Sequence, residues 1–323
     1  METNKRFLWF TKHKDNVEDA VEEDRSPTLK FFFKLLWRRI GGLFTLNFIM
    51  LLMMLPIAIG IYVYVTSPMT PTTLSPLYAP LYGVSMISDS PSVSVALSTV
   101  SAQLGFPVLT PTGTIVILVM AVLLLLTWGI QNAGATYVLR GFFRGEAVFV
   151  LSDYLYGIKR NWKQAIFVGF ADLAIMTVLA VDFIHLYQTT GSTYFDLMYA
   201  AVFAIAVIYF FMRFYIYLLM ITFEMKFLKI LKNSLIFAVL GIKRNLLAAL
   251  GIAVMLAFNI ALLFLLLPSS IPIILPCIYL FSFSAFMATY AAYPIIDRYL
   301  IKPYETPAED ENVDEEDVAD VEG

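Results

Sequence analysis

The sequence predicts an all-α protein, a polytopic membrane bundle of about six transmembrane helices. Its 323 residues are 59% hydrophobic and only 15% charged, and the mean hydropathy is +0.76. Soluble domains carry roughly 25% charged residues, so this balance indicates lipid as the solvent. Long apolar runs recur along the chain, and helices are expected there because lipid cannot satisfy exposed backbone groups.

Six apolar runs are long enough to cross a membrane, which takes ~20 mostly apolar residues. They cover residues 40–65, 114–139, 165–187, 197–221, 246–267 and 271–296. The predicted bundle occupies residues 28–303 and begins with a basic, aromatic stretch at 28–39 that suits an interfacial helix. A polar tail at 1–27 precedes it, and the acidic run at 304–323 predicts a disordered tail.

The distribution of basic residues predicts the orientation. The connections 66–113, 188–196 and 268–270 contain no lysine or arginine, whereas the other connections and both flanks of the bundle do. Basic loops stay on the cytoplasmic side, so we predict a multi-pass protein of the cell membrane with both termini in the cytoplasm. The loop 66–113 is then external, and its segment 92–105 is either a short helix on the outer face or a flexible stretch.

One five-residue sequence, GIKRN, occurs twice, at 157–161 and at 241–245. Each copy ends a predicted cytoplasmic segment just before a span. This shared position favours a duplicated unit, in which spans two and three correspond to spans four and five. Both units would cross the membrane in the same order, so the predicted repeat is parallel.

Two charged side chains lie inside predicted spans at matched depth. Asp172 is about seven residues from the inner end of span three, and Arg213 is about nine residues from the inner end of span four. Both would sit ~11–14 Å from the boundary, and an isolated charge is costly in lipid. We therefore expect the two side chains to face each other, either as a packing ion pair or as a solute or proton site.

A second polar pair lies near the outer end of span three. Asp182 and His185 are three residues apart and share a helix face. They form either a proton relay or a contact with the headgroup region.

The connection between spans two and three carries charges of both signs, at Arg140, Arg144, Glu146 and Asp153. An anchor for anionic lipid gains only from basic residues, whereas a protein contact depends on the sign and position of each group. These four residues are therefore candidates for docking a membrane or transporter protein at the cytoplasmic face. Lipid anchoring is the alternative.

Motifs for catalysis are missing from the sequence. The only histidines are His13 and His185, and Cys277 is the only cysteine, so one chain cannot form a Cys/His metal cluster or a disulfide. No glycine-rich phosphate loop with a lysine occurs. We expect no enzyme activity, cofactor, metal site or nucleic-acid partner, with the lipid bilayer as the surroundings; a membrane enzyme using carboxylates alone is the remaining enzymatic alternative.

A set of glycine, arginine and amide residues follows a recognisable order along the chain. It comprises Asn47, Pro56, Gly60, Gly129, Ala133, Gly134, Arg140, Arg144, Gly145, Glu146, Asp153, Asn161, Lys163, Gln164, Phe223, Arg244 and Asn245. On these residues the chain, over roughly 29–296, resembles the YesL-like family of bacterial integral membrane proteins of unknown function. It departs from the family at Ile130, where a proline is usual, and in the long outer loop and acidic tail.

The resemblance implies an association with carbohydrate uptake and polysaccharide-utilisation systems, without a reaction or ligand. It leads to a first interpretation, a non-enzymatic accessory to such an uptake system. The alternative is a small-solute transporter that uses Asp172 and Arg213. A deep polar cavity at the level of this pair would favour transport, and a dry bundle with a charged cytoplasmic face would favour the accessory role.

Overall fold

The computed structural model describes residues 27–70, 106–188, 193–266 and 271–305. The chain divides into two compact units, Met1–Ile40 and Gly41–Gly323. The described part of the first unit is essentially one helix, α1 (Leu29–Arg38), which lies within the stretch where an interfacial helix is predicted. Thr28 begins this helix, because its Oγ1 accepts a hydrogen bond from the Phe31 N–H at 3.3 Å.

The described part of the second unit is built almost entirely from helices. They are α2 (Ile40–Met53), α3 (Leu55–Val65), α4 (Pro111–Arg144), α5 (Val150–Gln188), α6 (Thr193–Thr222), α7 (Phe227–Leu240), α8 (Ile242–Leu266) and α9 (Ile271–Ile296). A π-helical turn, Asp297–Ile301, and the short helix α10 (Lys302–Glu305) follow α9. Among the described residues the only β pairing joins β1 (Met69–Thr70) to β2 (Phe106–Pro107), antiparallel.

The fold class predicted from the sequence is confirmed. Within the described residues, the five helices α4, α5, α6, α8 and α9 are long and apolar enough to cross a membrane. A sixth crossing is obtained if α1 and α2 count together as one interrupted span. Apart from the β1–β2 pairing, the regular structure of the described residues is helical, and the long apolar helices indicate a membrane-embedded protein with five or six crossings.

The apolar run at 40–65, predicted as one span, is divided into α2 and α3 at Met54. Pro56 explains the break, because proline lacks a backbone N–H and its ring clashes with the carbonyl four residues earlier. Hydrogen bonds continue across it: Met54 N donates to Met50 O at 3.2 Å, and Ala58 N donates to Met54 O at 3.4 Å.

Helix α4 is longer than the predicted span at 114–139, since it continues to Arg144. It ends at Gly145, whose φ of 70° lies in the left-handed region that favours glycine. The N–H of Glu146 then donates to Gly141 O at 3.1 Å and satisfies a carbonyl of the last turn. At Ile130, where the family resemblance expects proline, the helix is unbroken.

The core of the second unit is the C-terminal half of α6. From Tyr209 to Ile221 nearly every side chain is buried, Arg213 being an exception. A helix that is apolar on all sides belongs inside a bundle, and α6 accordingly contacts α4, α5, α7 and α9. This helix therefore determines where the other helices converge.

The two GIKRN copies lie in different local structure. Gly157 is inside α5, whereas Gly241 is at the break between α7 and α8. Both glycines nevertheless lie against a tyrosine of the preceding long helix, Gly157 against Tyr137 and Gly241 against Tyr215. The parallel repeat stays a prediction.

Three expectations concern residues that lie wholly or mostly outside the described ranges. They are the tail at 1–27, the choice between helix and loop at 92–105, and the acidic tail at 304–323.

Candidate functional site

A carboxylate with donors from two other helices lies at the centre of the bundle. Asp172 of α5 is only 2% exposed. Its Oδ1 accepts from Tyr209 Oη at 2.7 Å, and its Oδ2 accepts from Tyr217 Oη at 2.9 Å and from Trp128 Nε1 at 3.0 Å. Charge-assisted hydrogen bonds of this kind are about twice as strong as neutral ones, so the network holds α4, α5 and α6 together.

The structure brings Asp172 and Arg213 together as an ion pair. Arg213 Nε lies 3.0 Å from Asp172 Oδ1 and 3.3 Å from Oδ2. Its Cζ lies 5.7 Å from the centre of the Trp128 ring, within the range of a cation–π contact. The Arg213 side chain is 24% exposed, whereas that of Asp172 is 1% exposed, so the cation is the accessible member of the pair.

The approach of α4 to α5 positions this network. Gly129 and Gly169 face each other backbone to backbone: a Cβ added at Gly129 would lie 2.8 Å from Gly169 Cα and 2.7 Å from the Ala165 carbonyl carbon. Gly129 directly follows Trp128, and Gly169 is three residues before Asp172. Only glycine permits this separation, which lets the indole N–H reach the carboxylate.

A cavity of about 320 Å³ lies beside the ion pair. Arg213 is the only charged residue among the described residues that line it. The polar lining side chains are Gln131, Asn132 and Thr136 of α4 and Ser284 and Thr289 of α9, and the remaining wall is largely apolar and aromatic. Asp172 does not line the cavity.

Gln131 is a buried amide on the cavity wall. It is 1% exposed, and its Nε2 has no hydrogen-bond partner among the residues that the structure describes. A buried polar group without a partner costs ~1–3 kcal/mol. Gln131 shares this property with a few other buried atoms of the described residues, such as Asn259 Oδ1 and Tyr154 Oη.

Asn47 of α2 holds the α9 backbone beside the cavity. Its Nδ2 donates to Cys277 O at 2.6 Å, and its Oδ1 accepts from the backbone N–H groups of Phe281 and Ser282, each at 3.0 Å. In a regular helix the N–H of Phe281 would donate to the carbonyl of Cys277, four residues earlier. The Asn47 side-chain amide bonds to both of these groups, just after Pro276, and so attaches α2 to α9 at Phe281, which lines the cavity.

The outer-end pair is not part of this site. Asp182 and His185 are both exposed, near the far end of α5, and neither lines the cavity. Among the described residues, no group of three or more His, Cys, Asp or Glu side chains could hold a metal ion.

The four candidate docking residues do not form one exposed surface. Arg140 is 8% exposed, and its Nη1 donates to Ile221 O at 3.1 Å. The continuation of α4 beyond residue 139 places Arg140 inside the bundle, at the carboxyl end of α6, where a cation is favourable. The expectation that Arg140 lies on a docking surface is therefore wrong.

The two acids of that segment have contacts of their own. Glu146 Oε1 lies 3.1 Å from Arg144 Nε, with both side chains about half exposed. Asp153 Oδ2 accepts from the Phe149 N–H at 2.8 Å, at the start of α5. These contacts account for acids among the basic residues without a protein partner.

Three residues of the site were absent from the sequence interpretation: Trp128, Tyr209 and Tyr217. Tyr209, Arg213 and Tyr217 are spaced four residues apart, which places them on one face of a helix. That spacing beside an intramembrane aspartate was a usable signal. No comparable pattern indicated Trp128.

No family model, curated protein or solved structure matches the chain.

Proposed function

We propose that this protein is a membrane transport protein that binds a small solute in the cavity beside Asp172 and Arg213. The observation that carries the proposal is Arg213 itself. Its Nε is held by Asp172, while its terminal nitrogens Nη1 and Nη2 have no hydrogen-bond partner among the described residues. The Arg213 side chain is 24% exposed and lines the cavity, and its terminal nitrogens are not among the buried unpartnered atoms of the described residues, so both are accessible to a solute.

The cavity favours transport over the accessory role, because a deep polar cavity at the level of the ion pair is expected of a transporter and a dry bundle of an accessory protein. It reaches the depth of the ion pair, and polar side chains from two helices, α4 and α9, line it. Charged residues in spanning helices commonly mark substrate or ion pathways. We place the protein in the cell membrane with both termini in the cytoplasm, on the distribution of lysine and arginine.

Thiol labelling tests this proposal. In a Cys277→Ala background, Ser284→Cys puts a thiol on the cavity wall, and Ser282→Cys is the matched control, 0% exposed on the same helix. A small charged methanethiosulfonate should modify position 284 in both right-side-out and inside-out vesicles, because a transport site opens to each side in turn. Position 282 should remain unmodified. Labelling of 284 from neither face would refute a solute site, and labelling from one face only would refute transport.

A second candidate function is the accessory role in carbohydrate uptake, within the YesL-like family. It is supported by the resemblance and by the half-exposed pair Arg144 and Glu146 between α4 and α5. Exchanging these charges, as Arg144→Glu with Glu146→Arg, keeps the net charge and preserves an ion pair. The exchange should leave membrane insertion intact and reduce recovery of co-purifying membrane proteins from native membranes. Equal recovery with the exchanged protein, or no partner with wild type, counts against docking.

A further inference from the structure

Some polar side chains of the cavity already donate hydrogen bonds within the protein, and others do not. Asn132, Ser284 and Thr289 each donate to the backbone carbonyl four residues earlier in their own helix. Within the described residues, the accessible lining side-chain nitrogens without a partner are Nη1 and Nη2 of Arg213, whereas Nε2 of Gln131 has no partner but is enclosed by protein atoms. The cavity therefore offers N–H donors to a molecule that carries acceptors.

The charge on the wall is positive. Asp172 lies behind Arg213 and outside the cavity lining. Three neutral donors, Trp128, Tyr209 and Tyr217, hold its carboxylate independently of the guanidinium. They disperse the negative charge of Asp172, so the guanidinium can interact with a second anion at its terminal nitrogens.

The size and walls of the cavity restrict the anion. A volume of about 320 Å³ is at the small end of ligand sites. Apart from the polar groups, the wall consists of side chains such as Met50, Phe210, Ile252 and Leu256. A sugar needs donors and acceptors around its whole ring, and a phosphate brings three or more oxygens; this cavity supplies polar partners on limited parts of its wall.

We propose that the solute is a small organic carboxylate with an apolar body. A carboxylate matches the guanidinium fork with two parallel hydrogen bonds. The apolar body contacts the aliphatic and aromatic wall. This inference rests on the proposed solute site and names its ligand class.

Thermal unfolding of the full-length protein in detergent tests the inference, since a ligand that binds only the folded state raises the unfolding midpoint. Phenylacetate should raise the midpoint in a saturable manner, whereas the neutral phenylacetamide, which has the same shape, and glucose should not. Arg213→Lys keeps a cation but loses the fork, and it should weaken the apparent affinity ~10–100-fold. The control Arg160→Lys changes an exposed arginine outside the cavity and should leave the affinity unchanged.

Gln131→Leu provides a variant that does not depend on the ion pair. It should fold at least as well as wild type, because it removes a buried amide nitrogen without a partner. A changed phenylacetate affinity in this folded variant would show that the probe occupies the cavity that residue 131 lines, whereas an unchanged affinity would count against it. Octanoate distinguishes a carboxylate that comes from the lipid phase from one that comes from water. If octanoate raises the unfolding midpoint more than phenylacetate does, and Arg213→Lys abolishes this rise, the ligand is a carboxylate that comes from the lipid phase.

Two results would overturn the ligand class. Equal shifts with phenylacetamide or glucose would show that the charge is not recognised, while the cavity remained a solute site. No shift with any probe at millimolar concentration would also overturn it. The thiol labelling of Ser284→Cys tests the proposed function separately. Labelling from both faces would retain the transport site even though the ligand class was wrong.

Discussion

Asp172→Asn is expected to lower the free energy of unfolding by ~3–5 kcal/mol, the cost of breaking a buried ion pair from one side. Asp172 is 2% exposed and accepts hydrogen bonds from α4 and α6. Removing its charge leaves Arg213 inside the bundle without its counter-ion. Reversible unfolding in mixed detergent and SDS micelles measures the loss.

The double variant Asp172→Asn/Arg213→Gln should recover much of the lost stability, because both charges disappear together. The Trp128 N–H can still donate to the new amide oxygen, and the hydroxyls of Tyr209 and Tyr217 can either donate or accept. Asp182→Asn is the matched control on the same helix, where an exposed carboxylate should change stability by no more than ~0.5 kcal/mol. Additive losses in the double variant would show that the two charges act independently.

The pairing of Asp172 with Arg213 could be expected from the sequence because it needs only depth along two consecutive antiparallel helices. The cavity could not, because its shape depends on how α2, α4, α6, α8 and α9 pack against one another. Asn47 shows the same limit: its contact with α9 joins residues 230 or more positions apart in the chain, and no local pattern indicates such a pairing.

Arg140 shows an avoidable error. The apolar run ends at residue 139 and predicts that the span ends there, which leaves the arginine outside the bundle. Arg140 is seven residues after Ala133, which is two helical turns, and Ala133 is 0% exposed. If the helix is extended past residue 139, its periodicity therefore places Arg140 on the same buried face of α4 as Ala133.

Gly129→Ala and Gly169→Ala are expected to cost ~3 kcal/mol or more, at or above the upper end of overpacking effects. At Gly129 the added Cβ would meet the backbone of Ala165 and Gly169, and at Gly169 it would meet the backbone of Gly129. Because backbone cannot rotate away as a side chain can, α4 and α5 must separate. Unfolding in mixed micelles again gives the size of the loss.

Gly41→Ala and Gly60→Ala are the matched controls. Both glycines lie in helices, and an added Cβ would meet nothing within 4 Å at either position. Alanine there should stabilise the helix by ~0.5–1 kcal/mol. If Gly129→Ala were as stable as Gly41→Ala, the close crossing of α4 and α5 would be contradicted.

The close crossing of α4 and α5 and the hydrogen bonds to Asp172 should depend on each other, so their effects on the free energy of unfolding should not add. In wild type, Trp128→Phe removes the Nε1–H that donates to Asp172 Oδ2 at 3.0 Å, and loss of a hydrogen bond to a charged group costs ~1.5–3 kcal/mol. Separating α4 from α5 with Gly129→Ala already withdraws the indole from the carboxylate. Trp128→Phe should therefore cost almost nothing further in the Gly129→Ala background. The full cost in both backgrounds would mean that the glycine contact sets the stability of the bundle without positioning Trp128.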